Sequence, residues 1–312
     1  MESLERSTNL PNRPDQSNNS KQPNLRLPPK NDISKKKKFN AGKIGVAFVS
    51  LILFIYFIAI AYPLFWMVIN SFKTTQEIFT SSWTLPETWL VSNYIEAWNL
   101  GVSTYFFNSV IITGFTCAIT VFFAALCAYG LSRFNLPGEK TLLLLVSAGL
   151  MFAPQVGLIP LYELSQLLGI YDTYWALILP YAAYRLPLAV LIIRAYFLSI
   201  PKELEEAARI DGCSNFGVFM RIFLPMSIPI LFTAVILTAY FAWNEILFSV
   251  IFIESEELKP ITAGLLIFKD ALRTDWGILM AGLVMSAVPL IILFIFAQKY
   301  FIRGLAAGSV KG

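Results

Sequence analysis

A polar stretch interrupts the hydrophobic second half of the chain and reads Glu206-Ala207-Ala208-Arg209-Ile210-Asp211-Gly212, followed after nine residues by Ile222-Phe223-Leu224-Pro225. Uncharged runs long enough to cross a bilayer lie on both sides of this stretch. A charged segment between two membrane spans must leave the hydrocarbon core, because ionised side chains are costly there. The stretch therefore predicts a loop at one membrane face, which the spans hold in place.

The composition indicates a polytopic membrane protein. The chain has 312 residues, of which 56% are hydrophobic and only 14% are charged, whereas about a quarter of the residues of soluble domains are charged. The net charge of +4 does not indicate a nucleic-acid partner, because the basic residues lie beside hydrophobic runs and not in a separate basic domain.

Several kinds of functional site are excluded by residues that the chain lacks. It contains no histidine, and its three cysteines, Cys117, Cys127 and Cys213, form no C-x-x-C pair. It also lacks the phosphate-binding sequence G-x-x-x-x-G-K-[ST]. We therefore expect no catalytic residues, no metal site and no nucleotide-binding loop in this chain.

Hydrophobic runs predict six membrane-spanning helices in an all-α fold. The predicted spans cover residues 44–69, 106–131, 141–162, 173–197, 225–244 and 277–298. A secretory signal peptide at residues 44–69 is disfavoured, because its apolar core and its leader would both be shorter. Residues 41–312 thus form the predicted membrane domain, and the polar, proline-containing residues 1–40 a predicted disordered tail.

The distribution of basic residues predicts the orientation. Of the segments expected outside, 70–103 carries one basic residue, 163–172 carries none, and 254–276 carries three against five acids. The other side receives Lys35–Lys38, Arg133, Lys140, Arg194, Lys202, Arg209, Arg221, Lys299, Arg303 and Lys311. The positive-inside rule therefore places both termini and the polar stretch in the cytoplasm.

The cytoplasmic loop, residues 200–225, is predicted to contain two short helices. Pro201 suits a first helical turn, and a helix over 201–210 would align Leu204, Ala207 and Ala208 on one face. Gly212 is placed where a helix ends with positive φ, and the Ser214 hydroxyl can cap the second helix.

The second helix carries an apolar stripe of Phe216, Phe219, Met220 and Phe223, and Pro225 is expected to end it and begin the fifth span. A stripe exposed to the cytoplasm needs a cover. Two covers remain open from the residues alone: a soluble partner with a groove for a short helix, or the lipid surface.

The pattern E-A-A, three residues, G, nine residues, I-x-L-P is matched throughout this stretch and resembles the signature loop of permease subunits of bacterial ATP-binding-cassette (ABC) importers. Three further stretches resemble the carbohydrate-uptake branch, especially its maltose-type G permeases. They are Ala128-Tyr129-Gly130-Leu131-Ser132-Arg133-Phe134, Ala242-Trp243-Asn244-Glu245, and the terminal residues from Arg303 to Gly312.

This resemblance implies a type I ABC importer permease fold in the bacterial cytoplasmic (inner) membrane. It implies a second homologous permease, a dimer of ATPase subunits that use ATP and Mg²⁺, and an extracytoplasmic sugar-binding protein as partners. The substrate would be a di- or oligosaccharide or a related glycoside, and the loop a coupling helix that docks on the ATPase.

The resemblance also implies roles for particular residues. Glu206 would be the charged contact to the ATPase, Ala207 and Ala208 its close-packing surface, and Gly212 the hinge between the helices. The full predicted coupling set is Glu206, Ala207, Ala208, Asp211, Gly212, Phe216, Phe219, Leu224 and Pro225.

Polar residues inside the spans are candidates for contact with a sugar, and they are Arg185, Trp243, Asn244 and Glu245. Arg185 departs from the uncharged polar residue that relatives often show there. It could face an anionic or strongly hydrogen-bonded substrate, or pair with an acid in a neighbouring span. The functional alternative to an ABC permease is a secondary transporter of a small polar solute, which would need no docking loop.

Overall fold

The computed structural model describes residues 41–268 and 275–309. The predicted tail over residues 1–40 lies outside the described residues, as do Lys269, Arg273 and Lys311, which entered the prediction of orientation. The chain divides into two units, residues 1–55 and residues 56–312. In the first unit, residues 41–55 are helical.

The described part of the chain is all-α, as predicted, and contains no β-strand. Its α-helices are α1 (Ala41–Asn70), α2 (Thr75–Ser81), α3 (Ser92–Ala97), α4 (Ser103–Arg133), α5 (Glu139–Ala148), α6 (Leu158–Leu167), α7 (Trp175–Ser199), α8 (Lys202–Ile210), α9 (Asn215–Val218), α10 (Leu224–Met226), α11 (Ile228–Asn244), α12 (Leu247–Phe252), α13 (Ile261–Gly264) and α14 (Trp276–Ser309). Short 3₁₀ or π-helical turns cover Trp98–Val102, Gly149–Met151, Pro154–Gly157, Phe219–Phe223, Glu256–Leu258 and Leu265–Phe268.

Four helical stretches in the described residues are long and apolar enough to cross a membrane by themselves. They are Phe48–Asn70, Ser92–Arg133, Trp175–Ser199 and Trp276–Phe296. They overlap the first, second, fourth and sixth predicted spans, and the second begins earlier, at Ser92 and not at residue 106. With two further pairs of bent helices, the number of spans rises to as many as six.

The first bent pair corrects the predicted third span. Residues 141–162 are not one straight helix, because Glu139–Met151 and Pro154–Leu167 meet at 91°. Pro154 has no amide hydrogen to continue the first helix, and Ala153 before it is extended, with φ −70° and ψ 128°. The chain therefore turns sharply where the hydrophobic run alone suggested a continuous crossing.

The second bent pair corrects the predicted start of the fifth span. Asn215–Met226 and Ile228–Asn244 meet at 77°, so the chain turns at Ser227 and not at Pro225. Pro225 lies in the first turn of α10, where a proline needs no amide donor. The second helical segment of the loop therefore continues two residues past the predicted boundary, and α11 counts toward a span only as part of this bent pair.

The centre of the second unit is α4, which packs mainly against α7 and α11, while α11 also packs against α14. Ala124, Ala125 and Ala128 of α4 are fully or almost fully buried, at 0–1% exposure, and share a core cluster with Ile193 of α7. Small side chains let helices approach closely in a membrane. This cluster extends to α8 and the turn Phe219–Phe223, so the loop is anchored on α4 and α7.

Candidate functional site

The loop over residues 200–225 has the local structure that its sequence predicts. Helix α8 begins directly after Pro201, with Glu203 and Glu205 in its first turn, where negative charge is favourable. Gly212 follows it with φ +81°, a left-handed conformation that favours glycine. The Ser214 hydroxyl accepts from the Gly217 amide at 3.2 Å. The predicted helix, positive-φ turn and serine cap are therefore confirmed.

The faces of α8 differ from the prediction. Ala208 is buried in the core cluster, whereas Ala207 is exposed together with Glu206. The two alanines therefore do not share a free surface, because adjacent residues on a helix point about 100° apart. The outward face instead carries Ile210, which is 86% exposed and was not among the predicted contacts.

The predicted apolar stripe of the second helix is divided between two environments. Phe219 and Phe223 are 1% and 0% exposed and lie against the ring of Tyr129, with centroid distances of 5.2 and 5.0 Å. Phe216 is 63% exposed and Met220 is 44% exposed. The prediction that Phe219 contacts a partner is therefore wrong, because α4 already covers it. The other predicted residues are exposed at Asp211 and Pro225 and half-buried at Leu224.

The buried carboxylate of Glu205, whose role was not predicted from the sequence, connects the inner face of α8 to α4. The side chain of Glu205 is 10% exposed; its Oε1 lies 2.6 Å from Arg209 Nη2, and its Oε2 lies 3.8 Å from Arg133 Nε. Arg133 is the last residue of α4, and its side chain is 3% exposed. The neighbouring Glu206 had drawn attention because it matches the motif, and periodicity alone does not tell which of two adjacent glutamates faces inward.

A second arginine, Arg194, connects α7 with the end of α4 and the start of α5. Arg194 of α7 donates from Nε to the Leu131 carbonyl at 3.1 Å and from Nη2 to Glu139 Oε1 at 2.7 Å. Between α8 and the α4–α5 connection lies a polar cleft of about 670 Å³, which includes Ser132, Asn135, Glu139, Lys202 and Glu206 in its lining. Arg194 thus ties α7 to α4 and α5 next to the loop, while Arg133 of α4 contacts the loop itself.

Two of the candidate pathway residues have structural partners. Trp243 is 5% exposed and donates from Nε1 to the Ser286 carbonyl of α14 at 3.0 Å. Glu245 follows the end of α11 and caps α12: its Oε1 accepts from the Leu247 amide at 2.9 Å, and its Oε2 from the Phe248 amide at 3.0 Å. Both side chains therefore stabilise junctions between helices.

Arg185 lies in the middle of α7, and its guanidinium stacks over the Phe241 ring at 5.0 Å from the centroid. Its Nη2 donates to the Leu237 carbonyl of α11 at 3.3 Å. None of the ion pairs within residues 41–268 and 275–309 includes Arg185. The predicted acidic partner of Arg185 is thus not found among the described residues. No carboxylate of these residues pairs with its guanidinium, which donates one hydrogen bond, to the Leu237 carbonyl.

Tyr181 connects two of the candidate pathway residues, Arg185 and Glu245, although the sequence analysis did not predict a role for it. It lies four residues before Arg185, on the same side of α7. Its hydroxyl donates to Glu245 Oε2 at 2.7 Å, and its ring meets Phe241 edge-on at 5.8 Å. Arg185, Phe241, Tyr181 and Glu245 are therefore one continuous cluster between α7 and α11.

Asn244 lies apart from this cluster. It is exposed, donates to the Tyr240 carbonyl at 2.8 Å, and lines a cleft of about 890 Å³ together with Thr262, Leu283 and Ser286. Its amide oxygen faces no protein donor among the hydrogen bonds of the described residues. Asn244 is therefore a candidate pathway residue that borders an open cleft.

Comparisons with known proteins agree with this architecture. The family described as "Binding-protein-dependent transport system inner membrane component" matches residues 41–307. The chain is 61% identical over 269 residues to the probable ABC transporter permease protein YurM of Bacillus subtilis, covering 86% of this chain and 90% of that one.

A more distant relative and a solved structure extend the similarity. The trehalose/maltose transport system permease protein MalG of Thermococcus litoralis is 34% identical over 256 residues, which cover 80% of this chain and 91% of that one. A chain in the crystal structure of a bacterial ABC transporter involved in the import of alginate matches with a TM-score of 0.74 at 23% identity, covering 84% of this chain and 98% of that one. The latter likeness concerns the fold, which is that of a type I ABC permease.

The relatives are ABC permease subunits, which are non-catalytic membrane components. The match over residues 41–307 covers the described helices and the loop with its E-A-A motif. The chain belongs to the family of binding-protein-dependent transport system inner membrane components, multi-pass proteins of the bacterial inner membrane.

Proposed function

We propose that this chain is a permease subunit of an ATP-driven sugar importer, in which it forms half of the translocation pathway and is driven through α8. The observation that carries the proposal is the two-sided character of α8. Glu205 and Ala208 fix its inner face to the spans, while Glu206, Ala207 and Ile210 are exposed on its outer face. A short helix that is anchored on one side and free on the other suits a groove in a partner.

The proposed partner at α8 is an ATPase dimer in the cytoplasm, which would use ATP and Mg²⁺, while this chain would bind no cofactor. Glu206 would supply the charged contact, with Ala207, Asp211, Ile210 and Phe216 around it. Gly212 would set the angle between the two short helices. The orientation rests on the positive-inside rule, which favours cytoplasmic loops and termini on the side of α8.

Two further partners complete the proposed assembly. A second, homologous permease would supply the other half of the pathway, and an extracytoplasmic binding protein would deliver the sugar. The family description, which names dependence on a binding protein, supports the latter partner. Six membrane spans, counting each bent pair as one, would place both termini on the same side.

The proposed substrate is a di- or oligosaccharide or a related glycoside. Similarity to a trehalose/maltose permease supports this class. Within this chain, Asn244 and Arg185 are the proposed sugar contacts, because each presents hydrogen-bonding groups that the described protein does not fully use. Trp243 and Glu245 would act indirectly, by holding α11 against α14 and α12.

The test is co-purification of the ATPase with tagged variants of this chain. Glu206→Lys should abolish the complex or reduce its yield several-fold, because it reverses the charge at the proposed contact. Glu163→Lys makes the same change at an exposed glutamate on α6 and should leave the yield unchanged. An ATPase that co-purifies equally with both variants would refute docking through Glu206. Ion-driven uptake by the chain alone would favour a secondary transporter instead.

A further inference from the structure

We propose that Arg133 is a positioning residue that braces the joint between α7 and α8, so that a push on α8 moves α4 and α7 as one unit. Glu205 is the partner through which the brace grips α8. The proposal rests on the proposed function, because it concerns how the loop would transmit force from an ATPase. It concerns residues that lie outside the E-A-A motif.

The joint itself is a weak point in the chain. Helix α7 ends at Ser199 and α8 begins at Lys202, and the two residues between them are extended. Ile200 has φ −74° and ψ 127°, and Pro201 has φ −57° and ψ 139°. Helical hydrogen bonds do not continue through such residues, and Pro201 has no amide hydrogen to donate. Without a brace, α8 could swing about this joint without moving α7.

Arg133 contacts both sides of the joint. Its Nη2 donates to the Phe197 carbonyl at 2.6 Å and to the Ile200 carbonyl at 2.7 Å, at the end of α7. Its Nε lies 3.8 Å from Glu205 Oε2, on α8. An arginine suits this position because its planar guanidinium presents several donors in fixed directions. One side chain from α4 therefore connects the end of α7 with the start of α8.

The second helical segment of the loop also contacts the guanidinium of Arg133. The Phe223 ring lies 4.7 Å from Arg133 Cζ, in a cation–π contact. One helical turn earlier on α4, Tyr129 donates its hydroxyl to the Asn215 carbonyl at 3.1 Å. The last turns of α4 thus contact both helical segments of the loop: α8 through Glu205, and the turn Phe219–Phe223 through Phe223.

Glu205 forms two ion pairs, which connect different parts of the structure. Its pair with Arg209 joins residues four apart on α8, and the Arg209 side chain is 46% exposed. Such a pair adds little to stability and connects no other element. The pair with Arg133 is the one that joins α8 to α4. Loss of the first pair should therefore leave transmission intact, whereas loss of the second should not.

The experiment uses the purified complex of this chain with its ATPase and the other subunits. Mg-ATP is the probe, so the transported sugar does not have to be identified. A reporter cysteine replaces Asn244, in a background where Cys117, Cys127 and Cys213 are serine. Its maleimide labelling rate is measured with and without Mg-ATP and vanadate. Asn244 lies at the far end of α11 from the loop, so a change in its labelling reports movement of the spans.

Three variants are compared in this background. In Arg133→Lys and Glu205→Gln, ATP hydrolysis should continue while the nucleotide-dependent change in labelling falls about fivefold or more, the lower range of typical coupling between sites. Arg209→Gln is the matched control and should respond as the parent does. Wild-type-like responses in both brace variants, or an equal loss in Arg209→Gln, would overturn the proposal.

Two outcomes separate this proposal from the proposed function. If the parent chain binds no ATPase, or shows no response to Mg-ATP, the proposed function fails. If Arg133→Lys does not assemble, Glu205→Gln decides, because glutamine preserves the size of the side chain and leaves the Arg133 bonds to α7 in place. A failure of Glu205→Gln to assemble would make the pair a determinant of folding and would overturn its role in transmission.

Discussion

Tyr181 donates its hydroxyl to Glu245 Oε2 at 2.7 Å, and this bond joins the fourth span to the break after the fifth. The same carboxylate accepts the first free amides of α12, from Leu247 and Phe248. A carboxylate at this position satisfies donors that a helix start leaves unpaired. Glu245 is therefore a cap that α7 holds in place.

The first prediction concerns this cap. Glu245→Ala should lower the free energy of unfolding by about 1–2 kcal/mol, because it removes the carboxylate that accepts from the Leu247 and Phe248 amides, and loss of a side-chain cap at a helix start costs about that much. Asn244→Ala, at the adjacent exposed residue, should change stability little. The measurement is the thermal midpoint of both purified variants in detergent. Equal midpoints would show that the cap does not stabilise the α11–α12 junction.

The local structure of the loop could be predicted because its determinants are local. Pro201 at the start of α8, the positive φ of Gly212 and the Ser214 cap each depend on residues within a few positions along the chain. The sharp turn at Pro154 had the same kind of signal, since proline disfavours helical conformation in the residue before it. There the uncharged run outweighed the proline in our prediction.

The burial of the phenylalanines could not be predicted in the same way. Periodicity places Phe216 and Phe219 near one stripe, but Tyr129, far away in sequence, covers only Phe219. The pairing of Arg133 with Glu205 is likewise a long-range contact. A motif identifies Glu206, but only tertiary packing decides that Glu205 is the one that turns inward.

The second prediction concerns a close approach at the start of α14. A Cβ at Gly277 would overlap the carbonyl oxygen of Lys73 and lie 2.7 Å from Asn93 Nδ2. Gly277→Ala should therefore cost about 1–3 kcal/mol, as is typical of overpacking a buried site. Gly114→Ala is the control, because a Cβ there meets nothing within 4 Å. Thermal unfolding should rank Gly277→Ala well below Gly114→Ala, and similar midpoints would contradict the close contact.

The third prediction concerns the turn after α8. Gly212 has φ +81°, and a Cβ there would meet no atom within 4 Å, so the cost of a side chain is conformational. A left-handed residue other than glycine costs about 1–2 kcal/mol, and β-branched valine is especially unsuited. Gly212→Val should redirect the second helix and uncouple sugar uptake from ATP hydrolysis. Gly212→Asn should retain coupling, because asparagine tolerates this conformation. Normal uptake by Gly212→Val would exclude a coupling role for the turn.

The fourth prediction concerns Asp172, in the connection between α6 and α7. Burial acts to raise its pKa, but hydrogen bonds from the Ser255 hydroxyl and from the Ser255 and Glu254 amides outweigh it, and Lys259 adds to them. The pKa of Asp172 is therefore held below its ordinary value of 3.8. Stability from this carboxylate is present above its unfolded pKa and is lost as the pH falls through the lower, folded pKa.

Asp172→Asn isolates this contribution, because asparagine also tolerates the left-handed backbone of Asp172, with φ +55°. The variant should unfold at a lower temperature than wild type at pH 7. The difference should begin to shrink as the pH falls through about 4, where the carboxyl of the unfolded chain becomes protonated, and should disappear as the pH passes the lower pKa of the folded state. Thermal midpoints of both proteins measured from pH 7 to 3 test this, and a gap that stays constant with pH would contradict the role of the charge.

The last prediction separates structure from substrate binding at Arg185. Its protein contacts are one hydrogen bond of 3.3 Å to the Leu237 carbonyl and the stack on Phe241. Because no described acid pairs with it, Arg185→Gln should cost less than the 3–5 kcal/mol typical of a broken buried ion pair. If the free edge of the guanidinium binds sugar, Arg185→Gln should instead raise the KM for uptake by about tenfold, the worth of one hydrogen bond to a charged group. Uptake kinetics and thermal midpoints measured on the same variants distinguish these effects. Unchanged uptake would remove Arg185 from the pathway, and a large loss of stability with unchanged KM would make it a structural residue of the α7–α11 contact.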